Sequence, residues 1–237
     1  MLKLHDLTVF VNEKEILHGI NFEFKKGKVY AIMGPNGSGK STLAAAIMGH
    51  PAYTLSKKTK ISFLGVPIQK EAPHKRAKRG IFLSFQSPLT LNGVNVFQML
   101  RVAMDGAIDA LDLKNALKAT AKKLKIKEEL LSRSLNDGFS GGEKKKMEVL
   151  QAAVMNPTFL MLDEIDTGVD VDALKTIAQF LVSMRQPDRT IVIITHYNRI
   201  LKYLQPDEVL VLIDGKIAKT GTKKLAEDIE KSGYDGF

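Results

Sequence analysis

The stretch KVYAIMGPNGSGKST, residues 28–42, constrains this chain more than any other. A short apolar run leads straight into GPNGSGKS, which has the spacing G-x-x-x-x-G-K-[ST]. Glycines at that spacing let the backbone curl until its N–H groups converge, and a following helix adds partial positive charge at the same point. From Ser41 the pattern is helical, with Leu43, Ala44 and Ile47 on one face and Gly49 ending the run. Strand, glycine turn and helix in that order make a phosphate cradle rather than a chance glycine-rich loop. Gly34, Pro35, Asn36, Gly37, Ser38 and Gly39 form its wall. Lys40 is placed to bridge β- and γ-phosphates, Ser41 to ligate Mg2+, and Thr42 to reach an α- or β-phosphate oxygen.

A second stretch, FSGGEKKK at 139–146, also looks like an anion-binding turn ahead of a helix, although Lys40 and Ser140 are 100 residues apart. The helix it opens places Met147, Leu150 and Val154 on one face, and Asn156-Pro157 stops it. A chain this size has no evident use for two phosphate turns of its own.

Residues 3–11 and 15–24 alternate loosely around Asn12 and read as an antiparallel pair. IFLSF (81–85), FLMLDE (159–164) and TIVIITH (190–196) are short apolar strands that end in polar residues. VLVLIDGKIAKTG carries Asp214-Gly215 between apolar runs, a hairpin signal. Residues 87–138 have helical spacing and read as a helical insert into a core formed by 1–86 and 139–237. Strands alternating with helices predict an α/β fold with a mostly parallel sheet covered by helices on both faces. In such sheets the site lies beyond the carboxyl ends of the strands, and Gly34, Gln86, Asp163 and His196 all follow strand candidates. Asp163 is a candidate for the Mg2+ shell, and Glu164 for polarising an attacking water. Gln86 reads either as a turn residue before Ser-Pro or as a ligand to Mg2+ or water. His196 reads either as a structural histidine or as a donor to a γ-phosphate.

Composition narrows the classes. No apolar run approaches the ~18–20 residues of a membrane helix, and Met1–Phe10 has no signal-peptide pattern. These features predict a cytoplasmic protein without direct membrane insertion. The absence of cysteine excludes disulfides and thiolate ligands. The net charge of +9 comes from scattered lysine clusters, including 70–79 and 144–146, without interleaved aromatics. That pattern predicts a solvated exterior, with no nucleic-acid partner.

The ordered set GPNGSGKST, FQSP, FSGGE, LDE, DTGVD and TH resembles the ABC-type ATPase family over nearly the whole chain. The resemblance implies a P-loop NTPase fold, ATP as substrate and Mg2+ as cofactor. It assigns catalytic roles to Lys40, Glu164, Gln86 and His196, and metal contacts to Ser41, Gln86 and Asp163. It also implies that Ser140, Gly141 and Gly142 close over ATP held by a second copy, in an ATP-dependent head-to-tail dimer. Within the family, DGFSGGEKKKMEVLQ, LDEIDTGVDVDAL, THYNRILKYLQPD and the tail GYDGF are similar to the SufC type, which powers iron–sulfur cluster assembly. Ile165 stands where transporter ATPases carry proline, and Phe139 and Glu143 replace the usual leucine and glutamine. The implied partners are SufB–SufD-type scaffold proteins, docked on the segment after Gln86. The alternative is the nucleotide-binding subunit of a membrane transporter. Val11, with Phe10 adjacent, occupies the position where many members stack an aromatic on adenine.

Overall fold

The computed structural model describes residues 1–234 and 236. Asp235 and Phe237, part of the GYDGF tail, lie outside the described residues. A two-residue turn at Asn12 and Glu13, both with positive φ, joins β1 (Leu2–Val11) to β2 (Lys14–Phe24). This hairpin is the centre of an antiparallel sheet. It includes β4 (Thr54–Leu55), β5 (Lys60–Phe63) and β6 (Val66–Pro67).

The second sheet is built on β3 (Val29–Met33), whose five residues are all buried. Parallel to it run β7 (Ile81–Leu83), β8 (Phe159–Asp163), β9 (Thr190–Ile194) and β10 (Glu208–Ile213). The strand β11 (Lys216–Gly221) turns back antiparallel at one edge, through the Asp214-Gly215 turn. The order is β11-β10-β3-β9-β8-β7. Strands buried on both faces read as continuous apolar runs, and VYAIM, FLMLD and TIVII do so.

Alternate residues of these strands feed two cores. Ala31, Met33, Leu160, Leu162 and Ile193 pack with α5 (Gly141–Met155), α6 (Val171–Ser183), α7 (Leu201–Leu204) and α8 (Lys223–Ser232). Tyr30, Ile32, Phe159, Met161 and Ile194 pack with α1 (Lys40–Met48) and with the antiparallel sheet. Helices therefore lie on both faces, as the sequence predicts, with the antiparallel sheet sharing the second face. Between β7 and α5 come α3 (Val96–Ala103), α4 (Ala110–Lys123) and a 3-10 turn at Glu128–Leu131. Val96, Leu100, Leu113 and Leu117 bury into the same core as α5.

Two lysine-rich stretches depart from the solvated reading. In α2 (Pro73–Lys78), Arg76 is 1% exposed. Its guanidinium donates to the carbonyls of Ala46 and Ile47, at 2.9 and 2.7 Å, and to Gln69 and Glu71. It thereby closes the C-terminal end of α1, where orphan carbonyls need donors. In α5, Lys145 is buried between half-buried Lys144 and Lys146. Among the described residues, no helix is long and apolar enough to cross a membrane.

Candidate active site

The parallel register aligns the strand ends. Ile32 pairs with Ile194, and Ile194 with Asp163, so the chain leaves β3, β8 and β9 at one level. Gly34 follows β3, Glu164 follows β8, and Thr195 and His196 follow β9. Beside them β7 delivers Ser84, Phe85 and Gln86. One sheet edge therefore gathers groups from four separated segments, the arrangement expected for a site in a parallel sheet.

The glycine loop is tightly constrained. A Cβ on Gly34 would lie 2.1 Å from the Leu212 carbonyl oxygen. Gly39 has φ of 100° and leads into α1 without a side-chain cap. The first-turn N–H groups of α1 are thus left to face a ligand. Lys40 Nζ folds into the loop and donates to the carbonyls of Gly34 at 2.8 Å and Pro35 at 2.9 Å. Burial lowers its pKa, opposed by Glu164 and Asp163. An ammonium has three donors, so one remains for a phosphate oxygen. The Gly34 N–H donates to the Tyr234 hydroxyl at 3.0 Å.

Asp163 is buried, and burial raises its carboxyl above the usual range while a hydrogen bond from Ser41 opposes the shift. Its Oδ1 and the Ser38 hydroxyl are buried and have no hydrogen-bond partner. Its backbone N–H donates to Ser84 Oγ at 2.9 Å. The donor set of Ser41 hydroxyl and Asp163 carboxylate is hard oxygen, which fits Mg2+. Among the described residues no group of three or more His, Cys, Asp or Glu could hold a metal by itself. Mg2+ keeps several waters and binds through one or two protein oxygens plus substrate phosphates, so it requires no such cluster.

Glu164 has φ of 48°, an uncommon backbone for a residue other than glycine, and its N–H donates to the Ile194 carbonyl at 2.9 Å. Its Oε2 accepts a hydrogen bond from Gln86 Nε2 at 2.9 Å. Its Oε1 lies 3.4 Å from His196 Nδ1, close enough for an ion pair but without a hydrogen bond. The His196 ring packs on Tyr197 with centroids 3.9 Å apart.

Ser140, Gly141 and Gly142 stand elsewhere. Ser140 Oγ accepts from the Glu143 N–H at 3.3 Å, and Glu143 Oε2 accepts from the Ser140 N–H at 2.8 Å. This is a capping box on α5, and S-x-x-E in the sequence was its signal. A Cβ on Gly141 would sit 2.7 Å from the Gly168 carbonyl oxygen, and one on Gly142 3.3 Å from Ala173 Cβ. Both glycines therefore let α5 approach the segment after Glu164.

Further residues at this edge were not singled out by motif. Phe85 N–H donates to Glu148 Oε1 at 2.7 Å, and Lys145 Nζ donates to the carbonyls of Phe85 and Gln86 at 3.2 and 2.8 Å. Burial raises the Glu148 carboxyl to about 7, against Lys145 and the Phe85 N–H. Asp166, fully buried, accepts from Thr195 Oγ1 at 3.0 and 2.9 Å and ties the segment after Glu164 to the end of β9.

The family model described as ABC transporter matches residues 17–167. The chain belongs to the ABC ATPase family. It is an ATP-hydrolysing enzyme of that family, built to bind nucleotide. This ABC ATPase is 43% identical to the probable ATP-dependent transporter slr0075 of Synechocystis sp., over 99% of this chain and 94% of that one. It is 42% identical to the probable ATP-dependent transporter SufC of Escherichia coli, over 99% of this chain and 97% of that one. Among solved structures, a dimeric bacterial ABC transporter cassette, MJ0796, matches with a TM-score of 0.80 at 20% identity, covering 94% of this chain and 98% of that one. That last likeness concerns the fold alone.

Proposed function

We propose that this ABC ATPase hydrolyses Mg-ATP as a head-to-tail dimer and drives conformational change in a SufB–SufD-type scaffold during iron–sulfur cluster assembly in the cytoplasm. What supports hydrolysis is the position of Glu164, hydrogen-bonded to Gln86 and beside His196, at the strand edge that also carries Lys40 and Asp163. What supports the scaffold role is similarity to SufC along 99% of the chain. The core is 1–86 with 139–237, and 87–138 is the lobe that carries motion outward.

The chemistry assigns one role to each side chain. The loop 34–39 and Thr42 hold the phosphates through N–H and hydroxyl groups, and Lys40 directs its remaining donor at them. Ser41, Asp163 and Gln86 would hold Mg2+, which supplies charge neutralisation on the β- and γ-phosphates. Gln86 fixes one oxygen of Glu164, leaving the other to accept a proton from water. The water oxygen then bonds to the γ-phosphorus as the bond to the β–γ bridging oxygen breaks, giving ADP and phosphate. His196 donates to the γ-phosphate. Ser140 still has a hydroxyl proton to donate, and with the N–H groups of Gly141 and Gly142 it faces the γ-phosphate held by the second copy.

The partner surface is the segment Ser87–Arg101. Phe85 and Leu89 are 54% and 61% exposed, whereas Val96 and Leu100 are buried. The exposed part is laced to the arm ahead of Ser140. Leu91 N–H donates to the Leu135 carbonyl at 3.0 Å, and Asn136 Nδ2 donates to the Leu89 carbonyl at 2.8 Å. A pull-down with the tagged chain, with and without Leu89→Glu, tests the assignment. Recovery of iron–sulfur scaffold proteins, lost in the variant, supports it. Recovery of a membrane permease favours the transporter reading, which the names of both relatives carry.

A further inference from the structure

We propose that Glu148 is a positioning residue for hydrolysis, acting with Lys145 as a clamp that fixes the backbone at Phe85–Gln86 and so aims the Gln86 amide at Glu164. The inference rests on the assignment of Gln86 and Glu164 to hydrolysis.

The geometry is a closed set of contacts. Glu148 and Lys145 are each 4% exposed. They lie three residues apart on α5, so both project from one face of that helix. Glu148 Oε1 takes the Phe85 N–H at 2.7 Å. Lys145 Nζ donates to the two carbonyls that follow, at 3.2 and 2.8 Å. The two side chains are themselves 3.7 Å apart. One N–H and two successive C=O groups, one from each of three consecutive peptides, are thus held by the two side chains, which restrains the backbone on both sides of Phe85 and Gln86. The Gln86 side chain leaves this fixed backbone and donates to Glu164 Oε2 at 2.9 Å.

Burying this pair is expensive, and nothing in the core requires it. Burial works against the charged form of Glu148, and apolar residues of similar volume would fill the space at no such penalty. Phe85 and Gln86 are themselves exposed, so no hydrophobic packing fixes their backbone. The clamp is what holds it. Because Ser140 caps α5, the same helix carries the turn proposed to meet the second copy's ATP. A shift of α5 is therefore passed to Gln86 through two side chains.

The test compares Glu148→Met, which removes the acceptor at similar volume, with Glu148→Gln, which keeps an acceptor for the Phe85 N–H. Steady-state ATP turnover, ATP affinity in the presence of Mg2+ and the melting temperature are measured for both, for Gln86→Ala, and for Gln86→Ala combined with Glu148→Met. Glu148→Asp, which withdraws the acceptor by one methylene, serves should Glu148→Met not fold. The expected result is a kcat about 10- to 100-fold lower in Glu148→Met, from misplacement of a positioned group, with ATP affinity within about 3-fold of the parent. Glu148→Gln should recover most of the loss. The double variant should be no slower than Gln86→Ala alone, because both changes remove the same alignment. Unchanged kcat in Glu148→Met overturns the proposal. So does a double variant whose losses multiply, or a Glu148→Gln variant as slow as Glu148→Met, since each shows a role unrelated to Gln86. Full activity in Gln86→Ala identifies the failure differently: the assignment of Gln86 is then wrong, and the clamp's catalytic role falls with it.

Discussion

Substitution can separate the two jobs of Ser140. Within its own chain it caps α5, its oxygen accepting the Glu143 N–H at 3.3 Å. Across the proposed dimer it faces the γ-phosphate of a second copy. Aspartate is as good an N-cap as serine, whereas alanine cannot accept that hydrogen bond. Ser140→Ala should therefore lose about 1 kcal/mol of stability, a fall in melting temperature of about 2–4 °C for a chain of this size. Ser140→Asp should melt within about 2 °C of the parent, since its carboxylate restores the cap. Its effect on the dimer is the reverse. A carboxylate about 4 Å from a phosphate oxygen at an effective dielectric of about 20 is repelled by about 4 kcal/mol, close to a thousandfold per site. Sedimentation with Mg-ATP in a Glu164→Gln background, together with turnover in the otherwise unmodified chain, provides the assay. Ser140→Asp should remain monomeric and inactive while Ser140→Ala still dimerises at higher protein concentration. An Asp variant that dimerises and turns over like the parent refutes the meeting of Ser140 with the second copy's nucleotide. An Ala variant with unchanged melting temperature refutes the capping energetics.

Lys40→Ala should lose both ATP binding and turnover, and Glu164→Gln should keep binding while turnover falls about 10²–10⁴-fold, as for loss of a general base; equilibrium binding and phosphate release measure the two. Tyr234→Phe leaves the Gly34 N–H without its acceptor and should lower stability by about 1–3 kcal/mol, read by urea denaturation; an unchanged midpoint would mean that water replaces the hydroxyl. Arg76→Leu removes the guanidinium that donates to the carbonyls of Ala46, Ile47, Gln69 and Glu71, leaving Ala46 the Gly49 N–H, and should cost about 3 kcal/mol or more. The melting curve checks it, and a loss below about 1 kcal/mol would show that apolar filling compensates.

Local sequence determined the phosphate loop, because its conformation depends on glycines and a lysine within nine consecutive positions. The strands β3, β8 and β9 were legible for a similar reason: burial on both faces demands an unbroken apolar run. Their polar successors could then be gathered at one edge by a general property of parallel sheets. The capping box is written in the sequence as S-x-x-E, although the glycines beside it also fit an anion-binding turn. Tertiary structure decided what no spacing encodes. Lys145 sits in a run of three lysines, a pattern that reads as solvated surface, yet it is buried against a backbone about sixty residues earlier. Arg76 lies in a basic helix and closes α1, and Tyr234 meets Gly34 across 200 residues of chain. In each case a side chain satisfies a backbone group far away in sequence. A buried N–H or C=O must find some partner, but the sequence around it does not say which, because any donor or acceptor that the fold brings within reach will serve.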